Sequence, residues 1–144
     1  MIRSNSLLTQ AVQEYEDFSD SLEWTVDNVN KKCYMYILVN KSLGMTSGKV
    51  ASQVGHAVEK ITLLCHKTAH YKVFKANGSP KIVLSVPTED MFVNILDATK
   101  KHKKVYIIDE GRTQCPKNSV TVVGYRLMYD SEVPKIIKTL SLYK

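Results

Sequence analysis

The chain lacks most of the features that betray a function at sight. It has three cysteines, Cys33, Cys65 and Cys115, and no C-x-x-C pair. Scattered thiols argue against zinc spacing and against the disulfide framework of a secreted domain. A reducing compartment is the simple expectation. No apolar run reaches the roughly 20 residues that span a bilayer. The opening MIRSNSLLTQAV has too short an apolar patch for a signal peptide, and the acids after it oppose a transit peptide. A cytoplasmic protein with no membrane partner is therefore expected. Internal repeats and low-complexity segments are absent, which removes solenoid and fibrous classes. No His/Cys/Asp/Glu cluster sits at metal spacing, so neither a metal nor a cofactor is expected.

What is present suits one globular unit. A chain of 144 residues with 44% hydrophobic and 24% charged residues can bury a sizeable core. The net charge of +6 conceals an asymmetry. Residues 1–30 hold Arg3 against six acids, a balance of −5. Residues 31–144 hold the other 19 bases and eight acids, a balance of +11. The division expected is an acidic extension, 1–31, partly ordered or disordered, before a basic domain, 32–144. In the extension, Leu7, Leu8, Val12 and Tyr15 fit one side of a short helix, and Trp24 hints at packing. A basic body suits a polyanion, with nucleic acid the commonest. Ordinary solubility charge is an equal alternative on this ground alone.

The pattern predicts a first strand at Tyr34–Asn40 and a helix at Ser47–His66, capped by Thr46 or Ser47. Val50, Val54, Ala57, Val58 and Ile61 form its apolar stripe. Lys49, Gln53, His56 and Lys60 recur on another face, with a cation at the positive end of the helix. Taken alone, that stripe reads as a solvated face. A short helix at Thr68–Ala76 stops at Asn77-Gly78. A strand follows at Lys81–Val86, then a helix from Thr88 whose last turn is Lys100–Lys104. Val105–Ile108 and Ser119–Gly124 read as strands with a link too short for a crossover, so antiparallel. A final helix is expected at about Ser131–Leu140. The sum is an α/β fold, a three-layer α/β/α sandwich with a mixed four-stranded sheet.

Sites in such sheets form at the carboxyl ends of parallel strands. That edge gathers Lys49, Gln53 and His56 from the helix, Asp109 and Thr113 from a polar loop, and Thr121 from the returning strand. A carboxylate, a cation and hydroxyls at one edge can activate water and hold a charged intermediate. Asp109 is equally a loop-capping residue on this evidence. Cys115, in the same loop without a neighbouring His, reads as incidental. The run Gly44–Val50 sits like a phosphate-binding loop. However, it has three residues between its glycines instead of four, and Val50 stands where Ser or Thr would bind magnesium.

These motifs resemble a known family. SGKVASQVGHA, then DEGRTQ, then SVTVVG look like the archaeal–eukaryotic (type 2) peptidyl-tRNA hydrolases, over about Lys32 to the C-terminus. The resemblance implies a metal-independent carboxylic ester hydrolase that cleaves peptide from the 3′ end of tRNA, with peptidyl-tRNA as its nucleic-acid partner. It assigns catalysis to Lys49, His56, Asp109, Thr113 and Thr121, and Gln53 and Arg112 are further motif positions. These two, with Lys60 of the polar stripe, are expected to bind substrate. Asp109 is the general base in this reading. Two departures stand out. Glu110 replaces a small residue after the Asp, and Tyr125–Tyr129 replaces a Gly-Pro-rich turn. A non-enzymatic RNA-binding or signalling adaptor on the same scaffold is the alternative. The sequence leaves open whether the chain forms a homodimer.

Overall fold

The computed structural model describes residues 6–13, 31–109, 115, 116 and 118–144. Tyr15, Trp24, Glu110, Arg112 and Thr113 lie outside the described residues. Residues 6–13 form helix α1, on which Leu7, Leu8 and Val12 are exposed.

The body begins with β1 (Cys33–Asn40), of which every residue but Tyr34 is buried. A 3-10 turn (Lys41–Leu43) leads through Gly44 to α2 (Ser47–Cys65), and α3 (Ala69–Ala76) follows. Thr46 caps α2 and Thr68 caps α3, each hydroxyl accepting from a first-turn N–H. Gly78, at φ +89°, lets the chain leave α3 and turn into β2 (Lys81–Val86). Thr88 caps α4 (Glu89–Ala98), whose first turn holds Glu89 and Asp90. β3 (Lys104–Ile108) and β4 (Val120–Tyr125) close the main sheet.

The strand order is β3-β4-β1-β2-β6, with β6 (Ser141–Leu142) on the far edge. β5 (Met128–Tyr129) pairs the start of β1. β1 runs parallel to β2 and antiparallel to β4, and β3 runs antiparallel to β4. β3 is therefore parallel to β1, and both end at one edge. Alternation along β1 feeds two cores. Met35, Ile37 and Val39 pack with Val50, Ala57, Ile61, Val73 and Phe74 of α2 and α3. Tyr36 and Leu38 pack with Phe92, Ile95 and Ile137 of α4 and α5 (Lys135–Lys138).

Three expectations change. The sheet has six strands, not four, because β5 and β6 are two residues each and show no period to read. The final helix is only α5, preceded by a 3-10 turn (Asp130–Glu132). Pro134 lacks an N–H and holds Val133 extended at ψ 123°, which breaks the run. The lysines after α4 do not form its last turn, since the helix stops at Ala98. Lys104, already in β3, instead reaches back to the carbonyls of Thr99 and His102 at 2.7 and 2.8 Å. Burial pushes its ammonium below the ordinary lysine value.

α2 lies across β4 and β3 as well as β1. At Gly124 an added Cβ would collide with the end of Ile61 and come within 3.3 Å of Val105. Gly124→Val should lower stability by about 1–3 kcal/mol, the usual cost of overpacking. Urea unfolding checks this; an unchanged midpoint would mean that the end of the Ile61 side chain swings aside at little cost.

Candidate active site

The edge where β1 and β3 end is held by Asn40, the last residue of β1 and 2% exposed. Its amide donates to Val120 O and to the Glu89 carboxylate, both at 3.1 Å. Its Oδ1 accepts from Ser42 Oγ at 2.6 Å. One side chain thus joins the end of β1, the start of β4 and the first turn of α4.

Lys49 leaves the first turn of α2 and meets Asp109, just beyond β3. Lys49 Nζ stands 2.8 Å from Asp109 Oδ2, and the two side chains are 15% and 1% exposed. The backbone fixes the carboxylate too. Asp109 N–H donates to Ser119 O at 2.8 Å, and Asp109 O accepts from Asn118 N–H at 2.7 Å. Asn118 makes this return at φ +68°, a conformation asparagine tolerates better than most residues.

A β-bulge sets the third member. Ile107 pairs with Val122 but Ile108 with Val120, so Thr121 is the extra residue on β4. Val120 packs into the core beneath α4, while Val122 packs into the core beneath α2. Between them, Thr121 also turns toward α2, because a bulge interrupts strict alternation. Its hydroxyl donates to Ile107 O at 2.8 Å and accepts from Gln53 Nε2 at 2.9 Å. Thr121 is fully buried and Gln53 is 5% exposed.

Four of the expected residues therefore gather: Lys49, Asp109, Gln53 and Thr121. Gln53 departs from the polar stripe, since four residues turn it about 40° from Lys49 toward the sheet. It replaces Val54 in the buried line, and Val54 and Val58 are only half-buried. His56 and Lys60 are exposed. His56 does share the angle of Lys49, but seven residues carry it about 10 Å along the axis. Lys49, not His56, holds Asp109. Thr113 and Arg112 lie outside the described residues. Asn40 was missed; an asparagine ending an otherwise apolar strand was the available signal. Among the described residues, no three His, Cys, Asp or Glu side chains gather as a metal would need.

A family model described as peptidyl-tRNA hydrolase PTH2 matches residues 33–143. The chain belongs to this family. It is 30% identical over 114 residues to the peptidyl-tRNA hydrolase of Metallosphaera sedula, covering 75% of this chain and 97% of that one. It is 31% identical over 118 residues to the probable peptidyl-tRNA hydrolase 2 of Schizosaccharomyces pombe, covering 76% and 55%. Against the mitochondrial peptidyl-tRNA hydrolase 2 of Bos taurus it is 32% identical over 117 residues, covering 76% and 63%. The chain thus spans nearly all of the Metallosphaera sedula relative but only about half to two thirds of the other two. All of the Lys49–Asp109–Gln53–Thr121 cluster falls inside the PTH2 match.

Cys115 gives a test of this geometry that needs no substrate. It is buried, and burial first, then the Asp109 carboxylate, pushes its thiol above the ordinary value, while Lys49 opposes this. The thiolate is the reactive form. Alkylation of Cys115 should therefore need a higher pH than free cysteine does. Asp109→Asn should move that profile to lower pH and Lys49→Ala to higher pH, read by mass spectrometry of the labelled peptide. Shifts of the opposite sign would contradict the arrangement.

Proposed function

We propose that this chain hydrolyses the ester between peptide and tRNA in peptidyl-tRNA, releasing tRNA for reuse in translation. The observation that carries this is the buried Lys49–Asp109 pair at the shared carboxyl edge of β1 and β3, inside the span matched by the PTH2 family. The binding-module alternative has no observation in its favour.

In this reading residues 32–144 are the catalytic domain and residues 1–31 an acidic extension. We read the layering as a three-layer sandwich, a reading supported by the two separate cores that α2 and α3, and α4 and α5, help to form. Asp109 is the general base that takes a proton from the attacking water. The Lys49 ammonium carries three donors and uses one on Asp109. The others, with the positive end of α2 behind them, turn to the oxyanion as the ester carbonyl is attacked. Thr113 holds the water or the carbonyl, and Arg112 the substrate, as the family motif implies. Thr121 and Gln53 act as positioning residues, because their polar groups bond to each other and to Ile107 O. A general acid must stand within hydrogen-bond reach of its proton acceptor. His56 stands two turns away, so we assign it with Lys60 to the tRNA. The +11 body supplies backbone affinity. We place the reaction in the cytoplasm. Among the described residues no helix is long and apolar enough to cross a membrane, although bovine and murine relatives are named as mitochondrial.

Asp109→Ala should lower hydrolysis of an N-blocked aminoacyl-tRNA at least on the order of a hundredfold, with the fold intact. Near-normal turnover would remove Asp109 from the mechanism. Lys49→Ala should lower both turnover at saturation and thermal stability, because it removes the cation that faces a buried carboxylate. Adding Asp109→Asn to that variant should restore much of the stability and none of the turnover. A stable, active Lys49→Ala protein would make Lys49 a surface lysine.

The extension is acidic and the body basic. Affinity for tRNA should fall steeply with added salt. Deleting residues 1–30 should strengthen binding or leave it unchanged, as read by filter binding. Weaker binding after deletion would mean that the extension makes contacts of its own.

A further inference from the structure

A separate cavity of about 160 Å³ opens where β1 ends against the first turn of α2. Val39, Met45 and Val50 give it apolar walls, Tyr143 an aromatic one and Lys41 a cation. Tyr143 is tied to β2 by its N–H, which donates to Val83 O at 3.0 Å. Lys41 Nζ stands 5.9 Å from the centre of the Tyr143 ring. Asn40 also borders the cavity, but its amide is engaged with Val120 O and Glu89. The cavity therefore offers surface, an aromatic face and a positive charge, with little directed hydrogen bonding.

Its size and place narrow the occupant. A cavity of about 150 Å³ admits a benzene-sized ring. Val50 and Lys49 are neighbours on α2, about 100° apart around its axis. The cavity and the Lys49–Asp109 pair thus lie on adjacent flanks of the same helical turn. The lining suits a flat ring with an anion beside it for Lys41. The peptide side chain next to the ester varies from substrate to substrate. The terminal nucleoside that bears the ester is the same adenosine in every tRNA. A preformed wall suits the constant part.

We propose that this cavity takes the 3′-terminal adenosine of the tRNA, with the base against the Tyr143 ring and the phosphate on its 5′ side toward Lys41. This rests on the hydrolase reading above. Bases bind aromatic side chains by stacking with little need for hydrogen bonds, which matches the lining.

The test uses the full chain and two RNA minihelices. Both carry an N-acetylated amino acid ester on the terminal ribose. One ends in adenosine and the other in an abasic ribose. The wild-type protein should cleave the adenosine ester with kcat/KM about tenfold higher, in line with the loss of one stacked base. Tyr143→Phe should keep that preference, and Tyr143→Leu, which fills the wall without stacking, should erase it through KM. Lys41→Ala should reduce the slope of log affinity against log salt by about one. If wild type leaves both esters intact, the hydrolase reading falls and the adenosine site with it. If wild type cleaves both equally, the adenosine site alone is overturned, whether or not Tyr143→Leu folds. A preference that survives Tyr143→Leu, or that follows the esterified amino acid instead of the base, also overturns it.

Discussion

Burial of β1 on both faces and along both edges is the constraint on which everything else depends. Seven of its eight residues are shielded, so their backbone groups must be paired and their side chains covered. β2 and β4 supply the ladders, and helices from two directions supply the cover. A strand so enclosed cannot shift by one residue without sending its hydrophobic sets to the wrong cores. Its carboxyl end is consequently a fixed point. Asn40 converts that point into a junction, because its amide has no water to turn to and finds Val120 O and Glu89 instead.

The ion pair exploits this rigidity. Two charges this sheltered lose much of their hydration, and the loss is offset only if geometry is held closely. Asp109 is held by backbone bonds to both Asn118 and Ser119 at the neck of its loop. Lys49 is held because α2 presses on β4 at Gly124 and is tied to it through Gln53 and Thr121. The bulge is the device that lets β4 serve both purposes. Without the extra residue, Thr121 would face α4, and Gln53 would be a buried amide with no partner in β4.

Much of this was legible in the residues, and the limits have physical causes. Strands and helices with several turns of period were readable: Lys81–Val86 matches to the residue, and α2 to within one. The hydroxyl cap at Thr46 follows from local chemistry that needs no tertiary contact. The two-residue strands β5 and β6 have no period, and they exist only because an edge was there to pair with. Helix angle was readable for His56, but angle is not distance. Gln53 shows a different limit. The motif reads it as a substrate-binding residue, and the fold gives it one specific hydroxyl, in a strand 68 positions away, that no local pattern announces. The bulge that presents this hydroxyl is likewise a property of two strands together.

The charge distribution separates two tasks that a uniformly basic surface would confuse. Lys49 and Asp109 sum to zero, so the paired site adds no net field at long range. Attraction for a polyanion must then come from the other bases of the body, most of which are exposed and therefore screened by salt. The buried pair is screened far less, because ions do not enter between its members. Ionic strength should consequently weigh on the encounter with nucleic acid and leave the arrangement of the carboxylate nearly untouched. A fold that must seize many different peptidyl chains by their common nucleic-acid end, yet act on a single ester, gains from this division. Affinity is spread over a surface that tolerates variation, and chemistry is confined to a few side chains that the sheet does not allow to move.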